Sequence, residues 1–103
     1  MSDEDIDQEF RRMADSFIHL ANQHGEKAAR ENVSMALLYA AARYNAFVVS
    51  THAATVEDYD ASREKACEFF LEQYRKVLAE NLDDYRKVYD ADFKYSHLMK
   101  KEE

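Results

Sequence analysis

The sequence contains one glycine and no proline among its 103 residues. Tight turns and β-hairpins draw on both residue types, because glycine supplies positive φ and proline fixes φ. A β-rich fold of this length needs several such turns, so the composition excludes it. The scarcity of turn residues predicts an all-α protein.

Cysteine is also scarce, and acidic residues outnumber basic ones. The single cysteine, Cys67, cannot form an internal disulfide, which favours a reducing compartment. There are 14 basic residues against 21 acidic ones, for a net charge of −7. Nucleic acids and anionic membranes recruit basic surfaces, so we expect no nucleic-acid partner and no membrane partner.

Charge is missing from the middle of the chain. Between residues 33 and 56 the only charged residue is Arg43, whereas both flanks are dense in charge. The segment is long enough to span a bilayer. An arginine at the bilayer centre is unfavourable, however, and Asn45 and His52 add further polar groups. A covered helix of a globular protein is therefore the better interpretation.

Apolar spacing predicts three helices, over residues 3–24, 27–53 and 57–90. Together they predict an up-down-up three-helix bundle with long second and third helices. Residues 1–90 form a single domain in this interpretation, and residues 91–103 form a helix extension or a flexible tail. Thr55 with Asp58 resembles an N-cap pair at the start of the third helix.

The first helix has a single apolar stripe, which predicts one buried face. Ser2 with Asp5 resembles a capping box at its start, and Gly25 is placed for a left-handed C-terminal cap. The stripe recurs at alternating steps of four and three residues: Ile6, Phe10, Met13, Phe17, Leu20 and His24.

The second helix is apolar on two opposite faces. The first stripe comprises Val33, Leu37, Tyr44, Val48 and Thr51, flanked by Ala40 and Phe47. The second stripe comprises Met35, Leu38, Ala42, Ala46, Val49 and Ala53, flanked by Tyr39. The protein's own core accounts for one stripe. The second predicts a homodimer interface, unless the helix is wedged between its two neighbours within one subunit.

The third helix has a broad apolar face. On the opposite face, Glu72 with Lys76 and Asp83 with Lys87 are spaced for i,i+4 ion pairs. The apolar face comprises Ala66, Cys67, Phe70, Leu71, Tyr74, Val77, Leu78, Leu82, Tyr85, Val88 and Tyr89.

Four residues of the second and third helices are unusual for their positions and require an interpretation. Arg43 must reach water, meet a carboxylate, or bind an anion or partner, since an unpaired buried charge is unfavourable. Cys67 is interpreted as a buried structural thiol. Asn81 either fixes helix register or marks the end of the buried face. Phe69 points away from the apolar face and indicates an exposed contact surface.

No catalytic or metal-binding pattern is present. His19 and His24 diverge on a helix and lack the spacing of helical metal ligands. No Glu-x-x-His motif occurs, and the acidic residues follow solvated faces. We therefore expect no catalytic residue, no metal, no cofactor and no enzymatic activity.

Two stretches carry a resemblance to a known family: residues 9–15, Glu-Phe-Arg-Arg-Met-Ala-Asp, and residues 60–70, Asp-Ala-Ser-Arg-Glu-Lys-Ala-Cys-Glu-Phe-Phe. Across residues 3–90 the chain resembles a family of short uncharacterised bacterial proteins, mostly proteobacterial. The resemblance implies a bacterial, cytoplasmic protein and no particular activity. The acidic start of the chain is likewise unlike a secretory signal peptide.

These patterns favour a non-catalytic helical protein that acts through protein–protein interaction. Homodimerisation through the second stripe of the second helix comes first, and the sequence names no other protein partner. The alternative is a small-molecule or lipid-binding module. Its site would be an aromatic crevice between the second and third helices, with Arg43 at its mouth.

Overall fold

The computed structural model describes the backbone of residues 2–99 and the side chains of residues 2–89. It contains three α-helices: α1 (Asp3–Gly25), α2 (Arg30–Thr51) and α3 (Val56–Met99). No strand occurs between residues 2 and 99. The prediction of an all-α, three-helix fold is confirmed.

The chain divides into two units, Met1–His52 and Ala53–Glu103. The first unit holds α1 and α2, joined by a four-residue turn, and these helices contact each other sparsely. The second unit holds α3, which runs without interruption through residues 81–84 and on to Met99. Residues 100–103 of the predicted extension or tail lie outside the described residues.

Side-chain caps begin two of the helices, as the sequence predicts. The Ser2 hydroxyl accepts a hydrogen bond from the Asp5 amide at 3.2 Å. The Thr55 hydroxyl accepts one from the Asp58 amide at 3.1 Å. Each cap satisfies an amide that the first helical turn leaves without a backbone partner. The first turn of α1 is also acidic, which suits the helix dipole.

The end of α1 differs from the prediction. Gly25 lies inside the helix, and no glycine has positive φ among the described residues, so the predicted left-handed cap is wrong. The Glu26 backbone is right-handed, with φ −70° and ψ −24°. Its amide donates to the Gln23 carbonyl at 3.2 Å, and the Ala28 amide donates to the His24 carbonyl at 3.0 Å. Because a tightened last turn satisfies these carbonyls, glycine's conformational freedom is not used.

The ends of α2 and the start of α3 shift by one to three residues from their predicted positions. α2 begins at Arg30 because Ala29 is extended, with φ −61° and ψ 138°, and offers no side-chain cap. It ends at Thr51, two residues before the predicted end, and α3 begins at Val56. Ala53 therefore lies beyond α2, in the second unit.

No side chain is buried between residues 2 and 89. The five apolar members of the α1 stripe are between 50% and 68% exposed, so the predicted buried face of α1 is wrong for the single chain. Within the first unit, residues close to the turn are partly covered, namely Ala21, Gly25 and Val33. The amphipathic pattern indicates that one face of the helix is buried, but it does not indicate whether the same chain or another molecule buries it.

We predict that Gly25→Ala stabilises the protein by about 0.5–1 kcal/mol. Gly25 is helical, and an added β-carbon meets no atom within 4 Å, so alanine gains helix propensity without a clash. Urea unfolding followed by circular dichroism measures the change. A loss of stability instead would mean that the helix ends at Gly25 in a left-handed conformation, which penalises alanine.

Candidate interaction surfaces

The second stripe of α2 faces solvent. Met35 is 63% exposed and Leu38 is 41% exposed, while Ala42 and Ala46 are exposed and Val49 is half-buried. These five residues are hereafter the second stripe. Ala53, the sixth predicted member, lies outside the helix and does not share this face by helical spacing. The stripe combines small residues at its centre with larger ones at its ends.

The first stripe of α2 is open as well. Tyr44 is 66% exposed, and its ring contacts that of Phe47 with centroids 5.9 Å apart and an interplanar angle of 49°. Leu37 is also exposed, whereas Val33 and Val48 are half-buried. The prediction that one stripe is buried in the subunit's own core is therefore wrong for the single chain. Both faces of α2 are free to take part in packing.

Two hydroxyls near the end of α2 are satisfied by their own helix. The Ser50 hydroxyl donates to the Phe47 carbonyl, and the Thr51 hydroxyl donates to the Val48 carbonyl, each at 2.6 Å. Such i−3 bonds leave no hydroxyl donor in need of another partner. These residues can therefore be covered by a partner without the cost of a buried unsatisfied donor.

Arg43 is exposed, and no ion pair joins it to another described residue. It lies in the polar seam between the two stripes, together with Ser50. Because the side chain is in water, its charge carries no desolvation penalty in the single chain. Its role as a polar or anion contact with a partner stays a prediction.

Most of the apolar face of α3 is exposed along the described residues, whereas Ala66 and Phe70 are half-buried. Cys67 is exposed, so the prediction of a buried structural thiol is wrong for the single chain. Phe69 is exposed, as predicted, and its ring meets the edge of Phe70 at a centroid distance of 5.3 Å. The neighbouring helical positions thus offer aromatic surface on two sides of α3.

Asn81 bonds within its own helix. Its side-chain amide donates to the Val77 carbonyl at 2.8 Å. This local bond satisfies one donor without any partner across an interface. Neither of the roles proposed from the sequence is needed to explain the residue in the single chain.

Two charged pairs among the described residues of α3 follow i,i+3 rather than the predicted i,i+4 spacing. Arg75 donates two hydrogen bonds to the Glu72 carboxylate, at 2.8 and 3.2 Å, and Lys87 lies 3.5 Å from Asp84. The pKa of Glu72 is lowered, chiefly by the hydrogen bond from Arg75 and then by its positive charge. Both side chains are largely exposed, so solvent screens the interaction and its effect on stability is small.

The described residues bring together no group of three or more His, Cys, Asp or Glu side chains that could hold a metal ion. The His19 ring instead lies beside the Gln23 amide, with the two nitrogens 3.4 Å apart. Within the described part of the chain, the features that stand out are exposed apolar stripes rather than a chemical centre.

α2 is also long and apolar enough to cross a membrane, judged by length and composition alone. A single such helix is weak evidence, since the core helix of a soluble protein meets the same criterion. Arg43 at its centre disfavours insertion by a few kcal/mol. The absence of a membrane partner stays a prediction.

A family model of proteins of unknown function, DUF3144, matches residues 10–86. The match spans most of the chain. The protein belongs to the DUF3144 family. No curated protein and no solved structure matches the chain. Membership confirms the resemblance to an uncharacterised family and assigns no activity to the helices of this DUF3144 protein.

We predict that Arg75→Gln raises the pKa of Glu72 towards its ordinary value, because it removes the hydrogen-bonding cation. A lowered carboxyl pKa stabilises the folded state above the unfolded pKa, and that contribution is lost as the pH falls through the folded pKa. Carbon NMR titration of the Glu72 carboxyl measures the shift. Lys76→Gln is the control and should shift the pKa less, since Lys76 is the weakest of the influences that lower it. An unchanged pKa in Arg75→Gln would contradict the assigned cause.

Proposed function

We propose that this DUF3144 protein is a non-catalytic interaction protein whose first partner is a second copy of itself, bound through the second stripe of α2. The observation that carries the proposal is the exposure of this stripe on a helix whose opposite face is also apolar. Contiguous exposed apolar surface on a soluble protein marks a site of association. A homodimer with two-fold symmetry requires only that the stripe be complementary to itself.

The composition of the second stripe supports self-complementarity. Ala42 and Ala46 lie one helical turn apart near the middle of α2, so two helices can approach closely there. Met35 and Leu38 lie towards the N-terminal end of α2 and Val49 lies towards the C-terminal end. In an antiparallel pair the large side chains of one copy therefore fill the space beside the small residues and Val49 of the other.

A bacterial cytoplasmic setting is part of the same proposal. The single exposed cysteine is consistent with a reducing compartment. A net charge of −7 keeps the protein away from anionic membranes and nucleic acids, leaving another protein as the partner. Arg43 lies at the edge of the second stripe, where it can meet a carboxylate of that partner.

We predict that the wild-type protein has twice the 12.1 kDa mass of the chain in size exclusion with light scattering, and that Ala46→Glu shifts it to the monomer mass. The substitution places one carboxylate of each copy within the paired stripes, among apolar side chains of the other copy, where desolvation of the charge opposes association. Circular dichroism of each sample establishes that the helices are retained.

Ala36→Glu is the matched control, because it also replaces an alanine of α2 with glutamate. Ala36 lies outside the second stripe, on the polar side of the helix that holds Arg43 and Ser50. The Ala36→Glu variant should remain dimeric. A wild-type monomer would overturn the proposed dimer. A wild-type dimer that Ala46→Glu leaves intact would place the interface on another surface. A monomer that carries a bound small molecule in native mass spectrometry would support the ligand-binding alternative instead.

A further inference from the structure

The second stripe of α2 is too small to hold a dimer alone. Met35 and Leu38 are its only large exposed side chains. From their exposed fractions the stripe offers on the order of 300 Å² per copy, whereas a stable interface takes about 800 Å² from each partner. If α2 pairs as proposed, another surface of the chain must contribute the larger share.

α1 carries a surface of the required kind and size, here called the α1 seam. All five of its apolar residues are at least half exposed, and they offer on the order of 500 Å² per copy. Added to the second stripe, this brings the total to the size of a standard interface. The seam consists of Ile6, Phe10, Met13, Phe17 and Leu20, with His24 at its C-terminal end.

The spacing of the α1 seam fits a partner helix. Its alternating steps of four and three residues give an average period of 3.5, which is the repeat that keeps a seam in register along a second helix. Ala14 and Ala21 flank one side of the seam. Ser16 flanks the other side, and its hydroxyl already donates to the Met13 carbonyl at 2.7 Å. Close approach therefore buries no hydroxyl donor without a partner.

We propose that the α1 seam pairs antiparallel with the same seam of a second copy. The inference rests on the proposed self-association and adds to it the helix that supplies most of the interface. In this arrangement a residue of one copy faces a residue of the other copy when their two residue numbers add up to 30. Phe10 packs on Leu20 of the second copy, and Met13 packs on Phe17 of the second copy. Each aromatic side chain thus meets an unbranched or γ-branched one, and the two-fold axis passes close to residue 15.

Charge selects the antiparallel direction. Every charged residue between residues 2 and 9 is acidic: Asp3, Glu4, Asp5, Asp7 and Glu9. A parallel pair would bring these carboxylates of both copies to one end, where like charges repel. The antiparallel pair instead places each acidic end beside the end of the other copy that holds His24, Glu26 and Lys27, where only one of the three side chains is a carboxylate. It also aligns the two helix dipoles favourably.

Phe17→Glu tests the pairing. It should raise the dimer dissociation constant on the order of 100-fold, measured by dilution in sedimentation equilibrium, because Phe17 lies near the two-fold axis where a truncated contact costs most. Ile18→Glu is the matched control, since Ile18 is a large exposed residue of α1 that lies off the seam. Ile18→Glu should leave the dimer dissociation constant within a few-fold of the wild-type value.

Cysteine cross-linking tests the direction without relying on a disruptive variant. In a Cys67→Ser background, Ala14→Cys should form an intermolecular disulfide under mild oxidation, because residue 14 lies beside the axis. Ile6→Cys should not, since antiparallel helices hold the two copies of residue 6 about 27 Å apart, beyond disulfide reach. Cross-linking of Ile6→Cys but not Ala14→Cys would overturn the antiparallel arrangement.

The outcomes separate this inference from the proposed function. Loss of the dimer in Ala46→Glu but not in Phe17→Glu, with no cross-link at residue 14, would overturn the α1 pairing and keep the α2 interface. Loss in Phe17→Glu but not in Ala46→Glu would keep the α1 pairing and overturn the α2 interface. Loss in both variants supports one dimer built from both helices, and a monomeric wild type overturns both.

Discussion

An apolar stripe stabilises a helix only when another surface covers it, and the rest of this structure depends on that constraint. Helices of globular proteins owe most of their stability to the packing of such faces rather than to intrinsic propensity. Between residues 2 and 89 no apolar side chain is buried. The helices therefore obtain little hydrophobic stabilisation from the single chain, and under the proposed function folding and association form one equilibrium that depends on protein concentration.

Local features of this fold can be predicted from the sequence because the residues that determine them are neighbours in the chain. The hydroxyls of Ser2 and Thr55 cap α1 and α3 as their spacing from Asp5 and Asp58 indicates. Three helices follow from apolar periodicity and from the lack of turn residues. The left-handed cap predicted at the end of α1 is wrong because Gly25 permits that conformation without requiring it. Backbone hydrogen bonds in a tightened last turn satisfy the carbonyls at the helix end instead.

Burial could not be predicted from the sequence, because it depends on surfaces that are distant in the chain or belong to another molecule. The periodicity of α1 and α2 identifies which faces are apolar and says nothing about what covers them. Cys67 illustrates the limit: its place on the apolar face of α3 led to the prediction of a buried thiol, yet it is exposed. The apolar stripe of α1 likewise predicts a buried face, and its pattern fits an intermolecular contact equally well.

The acidity of the chain also bears on how copies can meet. At −7 per copy, an assembly must keep its most acidic segments apart or lose stability through self-repulsion. The charges of the α1 N-terminus are all of one sign up to Glu9, whereas the low-charge residues lie in α2. Apolar surface therefore supplies the attraction in the proposed dimer. Charge fixes the direction in which the copies align, because only an antiparallel contact covers the seam while separating the acidic ends.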